Sequence, residues 1–479
     1  MKFSQLKLTS PYLQLPELFY EKVDPTPLKN PFLISVSEDA AKLLGVDEDL
    51  LEDTLLVDIV NGEKKLEGSQ TFSMNYAGHQ FSDFTAALGD GRVINLGKVN
   101  GENLQLKGAG LTPYSRLGDG RATIGSSIRE YLMSEAMHGL GIETSRALAL
   151  IGSGTNVVRK ELEKGAIVLR LSPTWVRFGT FEHFNAYREH KMVKDLADYV
   201  IEESFSYIIA EEEPYVKMYT EIVKNTATTM AAWQSVGFTH GVMNTDNMSI
   251  DGRTIDYGPF SFLNDYDSSY VCNKTDKEGR YSFKSQPGAA RWNLEKLAIA
   301  LSPILDNESA LEILDEVFYD VYKSEHLRRM SARLGLYESV GEDKSLIQSM
   351  HRALSDARVD YNLFFRKLSR YDGDKKPILD ICVSSSPLEE WLDVYDKRLL
   401  KEKLSQEKRE QKMLAVNPKY ILKNHILDEA IEKAKVGNFT MVDDLLKVAH
   451  SPYEENENLE YLCAVIPLGS KNLQLCCSS

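Results

Sequence analysis

At 479 residues, 43% hydrophobic and 27% charged, the chain is long enough for two core-bearing units and has the composition of an ordinary folded enzyme rather than a disordered or fibrous protein. Its formal charge of −15, from 56 basic and 71 acidic side chains spread along the chain, argues against nonspecific attraction to nucleic acid or an anionic membrane; an anionic ligand would have to meet a local group of cations. No apolar leader opens the sequence and no run of 18 apolar residues occurs, so we expect a cytoplasmic protein outside the membrane.

In chain order, the patterning divides into an extension over 1–70 packed on the core, a small α+β lobe over 71–185 and a mainly helical lobe over 186–479. In the extension, Ser37 to Leu44 reads as a helix opened by a Ser/Glu cap. In the small lobe, short β-type runs at Arg92–Leu96, Leu104–Lys107 and Ala166–Leu171, punctuated by glycine turns, surround a helix from Ser127 to Gly139, and Ser127-x-x-Glu130 fits a capping box. Helical periodicity then covers Glu221–Ser235, Asn293–Leu305, Ala310–Lys323, Leu346–Leu354, Pro387–Lys403 and Ile426–Val436. A hairpin turning at Asp251-Gly252 is expected within Met248–Ile255. The run Lys401–Lys412 reads as a solvated helix face. The five cysteines, Cys272, Cys382, Cys463, Cys476 and Cys477, match neither a disulfide scaffold nor paired zinc spacing, so reduced thiols are expected.

The residues with chemical potential concentrate in two stretches. Gly89-Asp90-Gly91-Arg92 precedes a strand, and Gly118-Asp119-Gly120-Arg121 nearly copies it; each is either a plain turn or a place where backbone without Cβ approaches phosphate oxygens. Lys107 on a strand followed by Glu130 on a helix is the order in which kinases hold a phosphate-binding ammonium by an ion pair. The segment over 240–260 carries His240-Gly-Val-Met-Asn-Thr-Asp-Asn247 and then Asp256-Tyr-Gly258, the kinase spacing of a metal-binding Asn seven residues after the His and of the Asp of Asp-Phe-Gly. Asn247 and Asp256 offer the hard oxygens that suit Mg²⁺ or Mn²⁺. The kinase catalytic aspartate, however, falls at Val242, which accepts no proton. Asp246 is the nearest acid able to replace it, from a different place relative to His240 and hence toward a different phosphate. Arg170 and Arg177 carry guanidinium forks suited to a terminal phosphate; if they hold it deep in a cleft, the triphosphate is reversed and its α-phosphate faces the acceptor. An ordinary γ-phosphoryl-transferring kinase and a non-catalytic ATP-binding scaffold stand as the rival readings.

Taken together these blocks resemble the selenoprotein O family, also called SelO or YdiU, of kinase-like protein nucleotidyltransferases. The likeness runs through Asn75-Tyr-Ala-Gly-His-Gln-Phe, Leu88-Gly-Asp-Gly-Arg, Leu106-Lys-Gly-Ala-Gly, Thr112-Pro-Tyr-Ser-Arg, Ser127-Ile-Arg-Glu-Tyr, the 240 and 256 segments, Asn417-Pro-Lys-Tyr and Cys477-Ser-Ser. It implies a two-lobed, protein-kinase-like α+β fold and transfer of AMP from ATP to Ser, Thr or Tyr hydroxyls of proteins with Mg²⁺ or Mn²⁺, UTP being a second donor reported for bacterial members. It implies further that Gly89, Gly91, Arg92 and Lys107 contact nucleotide phosphates and that Glu130 pairs with Lys107. Asp119, Gly120, Arg170, Arg177 and Asp256 match nucleotide-site positions, Asp246 matches the proton acceptor, and Asn247 and Asp256 match the metal ligands. Cys477 stands where eukaryotic members carry selenocysteine, and a redox disulfide between Cys272 and Cys476 or Cys477 is suggested. Neither motif nor likeness names the target proteins, the preferred nucleotide or metal, or the oligomeric state.

Overall fold

Alternating apolar positions generate one antiparallel sheet around which the small lobe is built. The computed structural model describes residues 1–47, 49–463 and 474–475. Ten strands belong to this lobe and its extension: β1 (Tyr20–Lys22), β2 (Phe32–Val36), β3 (Phe72–Met74), β4 (Gly78–Gln80), β5 (Asp83–Thr85), β6 (Val93–Val99), β7 (Glu102–Lys107), β8 (Ala122–Thr123), β9 (Arg146–Val158) and β10 (Leu162–Ser172). Eight of them form the sheet in the order β1-β3-β6-β7-β10-β9-β2, with β8 on β10, while β4 and β5 pair only with each other. Both ends of that order come from the extension.

Register decides which side chains meet. Lys107 lies opposite Val93 and Val168, and Gln105 opposite Arg170, so a period of two puts Gln105, Lys107 and Arg170 on one face. The intervening Leu104, Leu106, Leu169 and Leu171 point the other way, into a core shared with Leu6, Leu44, Leu56 and Ile59 of the extension. The extension thus covers the outer face of the sheet. Its α1 (Glu38–Leu43) is capped by Ser37, whose Oγ accepts from Ala40 N at 3.1 Å, and α2 (Leu56–Val60) follows.

The inner face is covered by α3 (Ile124–Gly139). This helix starts one turn before the expected Ser127: Thr123 is its cap, with Ser126 completing a capping box. Ser127 is therefore inside the helix, and Glu130 is left to the sheet instead of to a cap. Beyond β10, α4 (Phe178–Ala186), α5 (His190–Ser204), α6 (Pro214–Val236), α7 (Gln286–Ala300) and α8 (Asn307–Arg333) make the larger lobe. Further helices, among them Asp343–Ala357 and Ser386–Leu399, share a second core with Trp391 and Phe364. Between α6 and α7 the short strands β11 (Phe238–Thr239) and β12 (Ser261–Phe262) pair, which closes the segment over 240–260 into a loop with both ends pinned. The expected hairpin there is only a turn. Gly252 N bonds Ser249 O at 3.1 Å, but Ser249 pairs with Arg177 and Thr254 with Thr144, because those neighbours outcompete the flanks for each other's backbone. The charged run also departs from expectation at Arg409, which is buried and donates to Tyr371 O and Tyr395 Oη. No described helix is long and apolar enough to cross a membrane.

The chain's last helices return to α3. On α3, Glu135 is fully buried and accepts from Ser37 Oγ (2.6 Å), Arg146 Nε and Nη2 (2.8 and 2.7 Å) and Ala147 N (3.0 Å), with His450 Nε2 at 2.8 Å. One carboxylate therefore joins the extension, the sheet and the helix Thr440–His450. Burial alone would push it up, but the hydrogen bonds from His450 and Arg146 outweigh burial and bring it down to about 2. A depressed folded-state value contributes stability that is present above the ordinary carboxylate range and lost as pH falls toward 2. We predict that Glu135→Ala lowers unfolding free energy by about 3–5 kcal/mol at neutral pH, the usual penalty for stranding a buried partner. Urea melts at pH 7, 4 and 3 should show the wild type converging on the variant as acid is added.

Candidate active site

A cavity of about 490 Å³ lies between the lobes and is bordered by Gly89, Gly91, Arg92, Lys107, Asp119, Gly120, Glu130, Arg177, Asn247 and Asp256. Most residues expected from sequence to meet a nucleotide are therefore brought together on one wall set. Arg170 is not: it is 1% exposed and sits behind the wall. Asp246 also does not border this cavity.

The roof is the first glycine turn. Asp90 Oδ2 accepts from Met74 N at 3.0 Å, tying the turn to β3. Thr112 Oγ1 donates to Asp90 O at 2.7 Å and Ser115 Oγ to Gly91 O at 2.6 Å, so the Thr112-Pro-Tyr-Ser block braces it from outside. Gly89 has φ +66°, and a Cβ there would lie 2.3 Å from the Tyr114 ring. Only glycine fits. At the second turn Asp119 is held by Arg159 at 2.9 and 3.0 Å; Arg121 of that turn and Arg159, which the sequence reading had not singled out, add cations to the rim.

The floor is an ion cluster centred on Asp256. Its Oδ1 lies 2.8 Å from Lys107 Nζ and 2.7 Å from Arg170 Nη1, and its Oδ2 lies 2.6 Å from Arg177 Nη1. Glu130 faces the same cations, at 2.6 Å from Lys107 and 2.5 Å from Arg170. Arg170 also donates to Gln105 across the strand pair and stacks on Trp175 at 4.6 Å. Burial is the largest influence on Asp256 and acts upward, yet Lys107, Arg177 and Arg170 together hold its carboxyl well below the usual range. Burial moves the Lys107 ammonium down, against the pull of Asp256 and Glu130. Asp256 itself has φ +60°, a conformation of order 1 kcal/mol or more above the favoured wells, which its three partners stabilise.

Beside the cluster, His240 is buried, stacks on Trp233 at 5.3 Å and donates through Nε2 to Ile255 O at 2.9 Å. It fastens the 240 loop to the residue before Asp256. Asn247 borders the cavity and donates its Nδ2 to Val242 O at 3.1 Å, a bond that does not use its amide oxygen. Asp246 is 8% exposed, Arg177 Nη1 donates to its backbone carbonyl at 2.8 Å, and its Oδ1 has no hydrogen-bond partner among the described residues. Burial, opposed by Arg177, raises the Asp246 carboxyl to about 7.

Four residues that sequence reasoning left without a role hold this loop. Gln80 Nε2 donates to Asp246 Oδ2 at 3.3 Å, and His79 N donates to Thr245 Oγ1 at 2.7 Å. Glu182 accepts from Thr245 Oγ1 and contacts His79 Nδ1 at 2.5 Å. A Cβ on Gly78 would stand 2.5 Å from Asp246 Oδ1. The one signal for Gly78, His79 and Gln80 was their membership of the Asn75–Phe81 block; Glu182, on α4, had none. Cys272 is buried, with its backbone carbonyl accepting from Leu475 N at 2.7 Å, and Leu475 borders the cavity; Cys476 and Cys477, the other halves of the suggested disulfide, lie outside the described residues.

A small antiparallel sheet region beside a larger helical part, with a strand lysine, a helix glutamate and an Asn/Asp pair at the cleft, defines a kinase-like nucleotide-using transferase. The family model described as "Protein adenylyltransferase SelO" matches residues 2–450. A protein named "Protein nucleotidyltransferase YdiU" from Myxococcus xanthus is 42% identical over 484 residues, covering 99% of both chains. Proteins of the same name from Photobacterium profundum and Vibrio parahaemolyticus are 42% and 41% identical over 511 and 491 residues, each covered over 99% of its length. The chain belongs to the SelO family of protein adenylyltransferases.

We predict that Gly78→Ala, which drives a methyl group into Asp246, lowers the turnover of nucleotidyl transfer at least tenfold while leaving KM for the nucleotide within twofold. Steady-state assays with varied nucleotide separate the two effects, and a wild-type turnover number would detach Asp246 from catalysis.

Proposed function

We propose that this protein transfers AMP from ATP to Ser, Thr or Tyr hydroxyls of cytoplasmic proteins, with the α-phosphate as the attacked centre. The observation that carries the reading is the substitution of a proton-inert Val242 at the kinase base position together with a buried Asp246 that keeps one carboxylate oxygen unpartnered among the described residues. A group raised to about 7 is matched to taking a proton from an acceptor hydroxyl near neutral pH.

In this reading the terminal phosphates rest on Lys107 and Arg177 beneath the glycine turns, and the α-phosphate is left toward Asp246. Asn247 and Asp256 would hold Mg²⁺ or Mn²⁺. The donor set fits such an ion: two hard oxygens at the cavity edge, few protein ligands, and the remainder drawn from phosphate and water. When bound, the ion supplies charge neutralisation of the phosphate oxygens. The protein's own residues do the rest. Asp246 accepts the hydroxyl proton as the acceptor oxygen attacks the α-phosphorus, the α–β phosphoanhydride bond breaks, and pyrophosphate leaves against Lys107 and Arg177. Arg170 and Glu130 fix the direction of Lys107 without touching the nucleotide.

Parallel labelling with α-³²P-ATP and γ-³²P-ATP tests the reaction class. We expect protein-bound label from the α-position only; label from γ restores the ordinary kinase, and label from neither, the silent scaffold. Asp246→Asn should reduce α-label transfer by about 10²–10⁴-fold, the range of a lost general base. Asp256→Ala should abolish the response of transfer to added Mg²⁺ or Mn²⁺, read as the rate against metal concentration.

A further inference from the structure

Outside the nucleotide cavity, the loop carrying Asp246 is bordered by a group of rings and cations that the proposed chemistry does not use. His79 of β4 lies 5.0 Å from the ring of Phe84 and 5.3 Å, edge-on, from Trp292 of α7. The Arg280 guanidinium lies 4.3 Å from the Trp292 ring centre and 5.8 Å from that of Tyr281, and Tyr281 lies 5.2 Å from Phe81. Phe81 and Phe84 belong to the same β4–β5 hairpin, so the contacts close into a ring. The ring is joined to the catalytic loop directly: Tyr281 Oη and Phe81 N both donate to Asn244 Oδ1, at 3.0 and 3.2 Å. None of the six residues borders the nucleotide cavity.

The charges on this ring are unbalanced. Lys296 lies over Trp292 at 4.7 Å, so the indole contacts two cations. Among the described residues neither Arg280 nor Lys296 forms an ion pair, and Arg280 Nε and Nη2 are buried without a hydrogen-bond partner. Two buried carboxylates of this region are already engaged. Glu182 serves His79 and Thr245, and Asp276 accepts from the backbone amides of Arg280 and Tyr281 at 2.9 and 2.8 Å. Asp83 at the hairpin tip and Glu278, two positions from Arg280, are exposed and form no ion pair among the described residues. Arg280 and Lys296 are both part-exposed, so a cation stacked on a ring still presents its charge to an arriving carboxylate. In a chain of net charge −15, two unpaired cations beside the proton acceptor mark a surface for an anionic partner.

We infer that this ring is the docking surface for the acceptor protein, and that it binds an acidic side chain flanking the hydroxyl to be modified. Arg280 and Lys296 hold the carboxylate, while Phe84 and Trp292, half-buried or exposed, cover the backbone beside it. The inference rests on the nucleotidyl-transfer reading, which puts an acceptor polypeptide at Asp246.

The test uses the full-length enzyme, α-³²P-ATP and synthetic Ser and Tyr peptides made in three versions, with Glu, Ala or Lys on both sides of the hydroxyl. We expect kcat/KM to fall in the order Glu, Ala, Lys, with at least tenfold between the extremes. The double variant Arg280→Glu, Lys296→Glu should reverse the order, with KM for ATP within twofold of wild type; the gain on Lys peptides shows that the variant is folded. An order unchanged by the charge reversal overturns the inference, as does a wild-type preference for Lys peptides. Label entering whole proteins but none of the peptides overturns it too. If no acceptor of any kind receives α-label, the transfer reaction itself is refuted, and the docking surface with it.

Discussion

Everything at the cleft hangs on the burial of Asp256 among three cations. Lys107 comes from β7, Arg170 from β10 and Arg177 from the cap of α4, and one carboxylate gathers them to within 2.8 Å. By formal charge, three cations face Asp256 and Glu130, a surplus of one positive charge. Asp90 stands farther off, 3.8 Å from Arg177, than the carboxylates of the cluster. The cluster therefore holds its shape without a ligand and still favours an anion. Buried ion clusters add little net stability, and their use lies in specifying one geometry; here the geometry is a set of preoriented donors, the arrangement by which charge developing on phosphate is stabilised without reorganisation.

A single helical turn, Thr245–Asn247, divides the labour between the two sides of the cleft. Asn247 borders the nucleotide cavity and Asp246 does not; instead Asp246 meets Gly78 and Gln80 of the β4–β5 hairpin. Adjacent residues thus address different partners, and the loop is held by contacts from both: Arg177 on its carbonyl and the hairpin on its side chains. In the proposed mechanism base and metal ligand would thus be adjacent, whereas in a protein kinase they are separated along the catalytic loop.

Legibility followed how local each cause was. The lysine strand, the glutamate helix and the 240 and 256 segments could be read because their chemistry lies in spacing along the chain, and the pairing of Lys107 with Glu130 follows from strand period and helix face. The place of Arg170 could not be read: its partner Gln105 is 65 positions away, and only the β7–β10 register shows that it faces inward. The Ser127 cap was misjudged because Thr123 and Ser126 offered an equivalent box one turn earlier. The hairpin residues stayed silent because glycine and glutamine carry no chemical signature until a carboxylate lies against them.

The extension has a consequence for biosynthesis. The two outermost strands, β1 and β2, lie within the first 36 residues, yet they pair with Phe72–Met74 and Arg146–Val158. A chain emerging N-terminus first leaves β1 without its partner until about 74 residues, and β2 until about 152 residues, are clear of the ribosome, a delay that non-local pairing makes slow. The Glu135 node waits still longer, for His450. The catalytic lobe is thus assembled from the chain's beginning and end, so a polypeptide interrupted in mid-synthesis would hold the nucleotide motifs without the frame that aligns them.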